Sequence, residues 1–101
     1  MSGPGGPGPD ERLAVVDGHI ERRVGPLCFV LAPDGQMHSF DNEAAVAVWD
    51  GLALAGTQGT TPRALALRLT ERFEVGEAEA LEDVRGVLAS LLSHCVVRRV
   101  G

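Results

Sequence analysis

Residues 36–52 read QMHSFDNEAAVAVWDGL. Within this stretch the spacing of apolar residues changes from every second position to every third or fourth. In QMHSF an extended chain would point Met37 and Ser39 one way and Gln36, His38 and Phe40 the other. From Asn42 onward, Ala45, Val48, Trp49 and Leu52 fall at i, i+3, i+4 and i+7, the stripe of an amphipathic helix. Asn42 is a good N-cap, and Glu43 follows in the first turn, where the macrodipole favours an acid. The chain therefore passes from strand to helix at residues 41–42. Trp49, the only tryptophan, is expected to plug the junction between that helix and the sheet before it.

Upstream, HIERRVGPLCFVLAPDG is rich in Ile, Val, Leu and Phe and is punctuated by Gly25-Pro26 and Pro33-Asp34-Gly35. Such punctuation predicts consecutive antiparallel strands at about 19–24, 27–32 and 36–40. Leu13 to Val16 form an extra strand or a lead-in. The middle strand, LCFVLA, is apolar throughout and is expected to be central or covered on both faces. The polar admixture of QMHSF suits an edge.

Downstream, Gly56, Gln58 and Gly59 break the first helix. Thr61 and Pro62 then offer an N-cap and a proline at N1 for a second, held to the core by Leu65, Leu69 and Phe73. After Val75-Gly76 comes the longest helix, with apolar residues at Leu81, Val84, Leu88 and Leu91. Beside that stripe runs another, Asp83, Val87, Ser90 and His94. The ending CVVRRVG is β-prone and reads either as a short returning strand or as a tail over the third helix. Three strands followed by three helices make an α+β, winged-helix-like domain.

Composition bounds what this domain can do. At 101 residues and 45% hydrophobic composition, one small core is affordable. The Gly/Pro-rich residues 1–11 read as a disordered tail and 12–101 as the domain. Nine arginines stand against fourteen acids, for a net charge of -5, which argues against nucleic acid as a partner. No signal peptide and no membrane span are legible, so a cytosolic protein is expected. Cys28 and Cys95 then read as reduced thiols. His19, His38 and His94 are scattered without metal-ligand spacing. No phosphate loop, nucleophile elbow or catalytic constellation is present, so neither a cofactor nor an enzymatic activity is expected.

The run from Asn42 to Leu52, NEAAVAVWDGL, resembles the cap-asparagine, small-residue, aliphatic-tryptophan signature of the PqqD family, whose members are also called RiPP recognition elements. TPRALALRLTERFEV is similar to that family's second helix and the Phe73-Glu74-Val75 that closes it. ALEDVRGVLASLLSHCVV is similar to its third, through Asp83, Val84, Val87, Leu88 and Leu91. The resemblance spans about residues 19–97. It departs at Asp41, where the family often has leucine, and at His94-Cys95, where the family usually has a glycine before a final hydrophobic pair.

The resemblance implies a module that performs no chemistry. The leader segment of a ribosomally made precursor peptide would lie as an added strand along Gln36, Met37, His38, Ser39 and Phe40. Asp83, Val87, Ser90, Leu91 and His94 would wall the groove, and Arg85 would meet leader carboxylates. The second partner implied is a peptide-modifying enzyme, such as a radical SAM enzyme, a cyclodehydratase or a lasso-pathway enzyme. Two other readings stay open. One is a scaffold subunit of the same fold, binding another chain or a second copy of itself as a homodimer. The other is a winged-helix transcription factor, which the acidic charge disfavours.

Overall fold

The computed structural model describes residues 7–40, 42–94 and 96–100. Its elements in chain order are β1 (Leu13–Val15), β2 (Ile20–Val24), β3 (Leu27–Leu31), β4 (Met37–Phe40), α1 (Glu43–Ala55), a single 3₁₀ turn (Gly56–Gln58), α2 (Pro62–Arg72), α3 (Glu77–Ser93) and β5 (Val97–Arg99). The α+β architecture is a three-stranded antiparallel sheet, ordered β2-β3-β4, with three helices and a second two-stranded sheet, β1-β5. The β-prone C-terminal run returns as a strand: Leu13 faces Arg99, Ala14 faces Arg98 and Val15 faces Val97. Leu13 and Thr60 also exchange two backbone bonds of 2.8 Å, which tie β1 to the α1–α2 connection.

Local chemistry sets the helix boundaries. The Asn42 side chain accepts from the Ala45 N–H at 2.8 Å and starts α1; Thr61 accepts from Ala64 N–H at 3.2 Å, with Pro62 at the first helical position, and starts α2. α3 starts at Gly76 without a side-chain cap and carries Glu77 and Glu79 in its first turn, where the helix dipole favours them.

The core forms where α1, α2, α3 and the inner face of the sheet meet. Trp49, Leu52, Leu65, Leu88 and Leu91 are fully or almost fully buried there, along with Phe40, Val30 and Val84. Each such side chain contributes about 1.5–3 kcal/mol by leaving water. Trp49 stacks on Phe40 with centroids 5.7 Å apart and meets His19 edge-on at 5.5 Å. The expected plug is in place.

Several expectations need correction. β3 is central, but only its Cys28 and Val30 side is covered; Leu27, Phe29 and Leu31 are half-exposed. A continuous apolar run mimics two-sided burial when the outer face of a sheet is itself apolar. The buried stripe of α3 is headed by Ala80 rather than Leu81, and Ala45 of α1 is only half-buried. Packing before Arg12 extends at least to Pro7: Arg85 donates to the Pro7 carbonyl, the Arg63 N–H to the Pro9 carbonyl, and Asp10 pairs with Arg63. Proline-rich backbone leaves its carbonyls free, and two arginine-bearing helices take them up. Residues 1–6, Asp41, Cys95 and Gly101 lie outside the described residues. Cys28 is a buried free thiol.

Candidate functional site

Strand β4 has one paired edge and one open one. Met37, His38, Ser39 and Phe40 face Leu31, Val30, Phe29 and Cys28 of β3, and among the described residues no strand lies on the other side. The Ala32 N–H donates to the Gln36 carbonyl at 2.7 Å, so hydrogen-bonded pairs with β3 fall at every second position from there. His38 and Phe40 are therefore bonded inward, and the N–H and C=O groups of Met37 and Ser39 point to the open edge.

Beneath that edge lies a trough of about 400 Å³ between β4, the start of α1 and α3. His38, Ser39 and Phe40 form its strand side, Asn42 and Ala45 its end, and Glu82, Asp83, Gly86, Val87 and Ser90 its helix side. A smaller hollow of about 250 Å³ continues behind it, lined by Ala44, Ala45, Val48, Leu69, Val87 and the polar Asn42 and Asp83. A Cβ built on Gly86 would meet nothing within 4 Å. The glycine thus leaves the mouth of the trough open at a mid-helix position where it weakens the helix.

The structure sorts the residues expected from sequence. His38, Ser39, Phe40, Asp83, Val87 and Ser90 come together around the trough, and His94 joins them through a bond between its Nδ1 and that of His38, 2.8 Å long. The His38 pKa is lowered, first by burial and then by the neighbouring His94. Phe40 is only 2% exposed and can serve as floor alone. Leu91 is fully buried and belongs to the core, not to the groove wall. Arg85 is not among the residues that line the trough, and its Nε–H donates to the Pro7 carbonyl. Met37 is 62% exposed on the opposite face of the sheet, leaving only its backbone for the edge, and Gln36 sits in the β3–β4 turn. Sequence reading missed Asn42, Ala45, Glu82 and Gly86 as lining residues. The signal was there: Glu82 and Gly86 flank the Asp83, Val87, Ser90 stripe at helical spacing, and an interior helical glycine marks close approach.

The outer face of the sheet is also apolar. Ile20, Val24 and Met37 are each more than half exposed there, beside Leu27, Phe29 and Leu31.

A sequence profile described as Coenzyme PQQ synthesis protein D (PqqD) matches residues 28–97, well over half of the chain. The chain belongs to the PqqD family. The match opens at Cys28 in β3 and closes at Val97, so this PqqD-family chain has its open-edged β4, α1 and α3 all within the family region. A search of curated protein sequences found no match. Among solved structures, this PqqD-family fold is similar to that of TbiB1 in complex with the TbiA(beta) leader peptide. The TM-score is 0.73 at 15% identity, covering 87% of this chain and 98% of that one. At that identity the likeness speaks for the fold. Among the described residues, no group of three or more His, Cys, Asp or Glu could hold a metal ion, and no helix is long and apolar enough to cross a membrane.

Proposed function

We propose that this PqqD-family chain is a non-catalytic, cytosolic module that captures the leader segment of a ribosomally synthesised precursor peptide and presents it to a modifying enzyme. The observation that carries this reading is the open edge of β4 standing directly over the trough. An extended peptide laid on Met37 and Ser39 would satisfy their outward N–H and C=O groups, while its alternate side chains entered the trough and the hollow behind Val87. Backbone bonds supply sequence-tolerant affinity, and the pockets supply choice. The structural neighbour solved with a leader peptide, and the family itself, support the same reading.

Holding the leader raises the effective concentration of the attached core peptide at the enzyme to roughly the millimolar range for a short linker. Radical SAM enzymes, cyclodehydratases and lasso-pathway enzymes are the partner classes that the family suggests.

The test is a titration with fluorescent synthetic leaders of candidate precursor peptides, using Ser39→Pro and Gly86→Leu. Ser39→Pro removes an edge N–H without touching the β3 ladder, and Gly86→Leu fills the trough mouth. Saturable binding lost in both variants, with circular dichroism unchanged, supports the proposal; binding unaffected by either contradicts it. A second reading, a scaffold subunit contacting another protein or its own copy, draws on the apolar outer face at Ile20, Val24 and Met37. It would be favoured if Met37→Ser, rather than Gly86→Leu, abolished the partner contact.

A further inference from the structure

No arginine or lysine lines the trough among the described residues; two acids, Glu82 and Asp83, stand toward one end and His38 toward the other. His94 follows Ser90 by one turn on the same face of α3 and reaches His38. The ring centroids are 5.0 Å apart, with planes tilted by 58°.

The 2.8 Å separation of the two Nδ1 atoms dictates how protons are arranged. One ring must carry hydrogen on Nδ1 and the other must offer a lone pair there. In the neutral pair the accepting ring then holds its hydrogen on Nε2, and the donating ring has a bare Nε2. One added proton goes to that bare nitrogen and leaves the Nδ1–H···Nδ1 bond intact. The pair then carries a single positive charge, and because each Nε2 lies on the far side of its ring from the shared bond, the protonated ring can donate its one outward Nε2–H to a carboxylate. A second proton would set two Nδ1–H groups head to head and break the bond.

From this arrangement we infer that His38 and His94 form a carboxylate subsite at one end of the trough, selecting a leader with Asp or Glu at that point and taking up one proton with it. The inference rests on the trough being the leader site. The residues lining the trough beside His38 carry no charge until Glu82 and Asp83 are reached. β4 adds the Phe40 ring, 4.7 Å from His38, and β3 adds Val30 opposite it. α1 contributes Asn42 and Ala45, and α3 contributes Ser90 before reaching Glu82 and Asp83. Burial, and then the neighbouring His94, lowers the His38 pKa, so the proton arrives with the carboxylate and affinity rises as pH falls. Asp83 lies eleven residues before His94, about 16 Å along a helix, which an extended peptide spans in about five residues. The ligand class is thus a strand with an acid at one end and, about five positions away, a cation or hydrogen-bond donor for Glu82 and Asp83.

The experiment is a display selection of random peptides about twelve residues long on the full chain, at about pH 6 and about pH 8. Wild type, His38→Gln, His94→Gln and Val87→Asp are compared. At the lower pH, wild type should enrich Asp or Glu at one fixed position by about tenfold, and both glutamine variants should lose that preference while still recovering peptides that need Val87. Calorimetry of a selected peptide in buffers of differing ionisation enthalpy should register uptake of one proton near neutral pH. Peptides that need Val87 but show no fixed acid, or an acid preference unchanged in both glutamine variants, would overturn the subsite and leave the trough standing. Failure to recover any peptide dependent on Val87 would overturn the trough itself, and the subsite with it. His94→Gln, at the end of α3, serves as the independent probe should His38→Gln disturb the strand.

Discussion

The indole N–H of Trp49 donates to Oε1 of Glu21 at 2.8 Å, so the buried ring of α1 is tied to the edge strand β2. Glu21 also pairs with Arg23, which reaches Asp50 next to Trp49 in the chain. The helix that closes one end of the trough is thereby fixed to the far edge of the sheet whose open edge would receive a peptide. This bond holds the Glu21 carboxyl below its ordinary range, with Arg23 assisting. A depressed folded-state pKa contributes stability that is present above the unfolded value of 4.5 and is lost as pH falls through the folded one. Urea unfolding should therefore show wild type losing more stability than Glu21→Gln between about pH 5 and about pH 3. Near neutral pH, Glu21→Ala should cost about 1–3 kcal/mol by orphaning the indole N–H.

Gly59 adopts φ +80°, and a Cβ there would lie 2.5 Å from the Leu13 carbonyl oxygen. Gly59→Ala should destabilise the fold by about 1–3 kcal/mol, because the clash is with backbone that cannot swing aside. Gly25 also has positive φ, at +60°, but its Cβ would meet nothing within 4 Å. Gly25→Ala should thus cost only about 1–2 kcal/mol, from backbone conformation alone. Thermal unfolding of the pair checks the difference.

Core and trough should separate by mutation. Leu91→Ala should destabilise by about 2–5 kcal/mol as a core truncation, yet leave the peptide affinity of the folded fraction unchanged. Val87→Asp should keep the fold and lose binding. Gly86→Leu should gain roughly 0.5–1 kcal/mol of helix stability and still weaken peptide binding by at least about tenfold through occlusion. A titration alongside a denaturation curve for each variant distinguishes these outcomes.

The change from strand β4 to helix α1, the Asn42 and Thr61 caps and the three main strands were legible because local rules govern them. Where one helical stripe gives way to the next was less so. On α3 the core stripe with Leu91 and the second stripe with Val87 are adjacent and were both legible, and only tertiary packing decides that Leu91 does not also reach the groove wall. The bond from Arg85 to the Pro7 carbonyl could not be read from sequence, because Pro7 is far away along the chain and exerts no periodic signal. The β1–β5 pairing joins two three-residue strands from opposite ends of the chain, and the Trp49 to Glu21 bond is likewise a product of assembly. Short-range patterns carry neither.

The claim that a peptide adds to the open edge of β4 is tested most directly by residue-resolved amide exchange, followed by NMR with and without the cognate leader. His38 and Phe40 should already be protected by β3, while Met37 and Ser39, exposed at the edge, should become protected only when peptide is present. Saturable peptide binding that leaves the Met37 and Ser39 amides exchanging as fast as before would contradict strand addition at this edge.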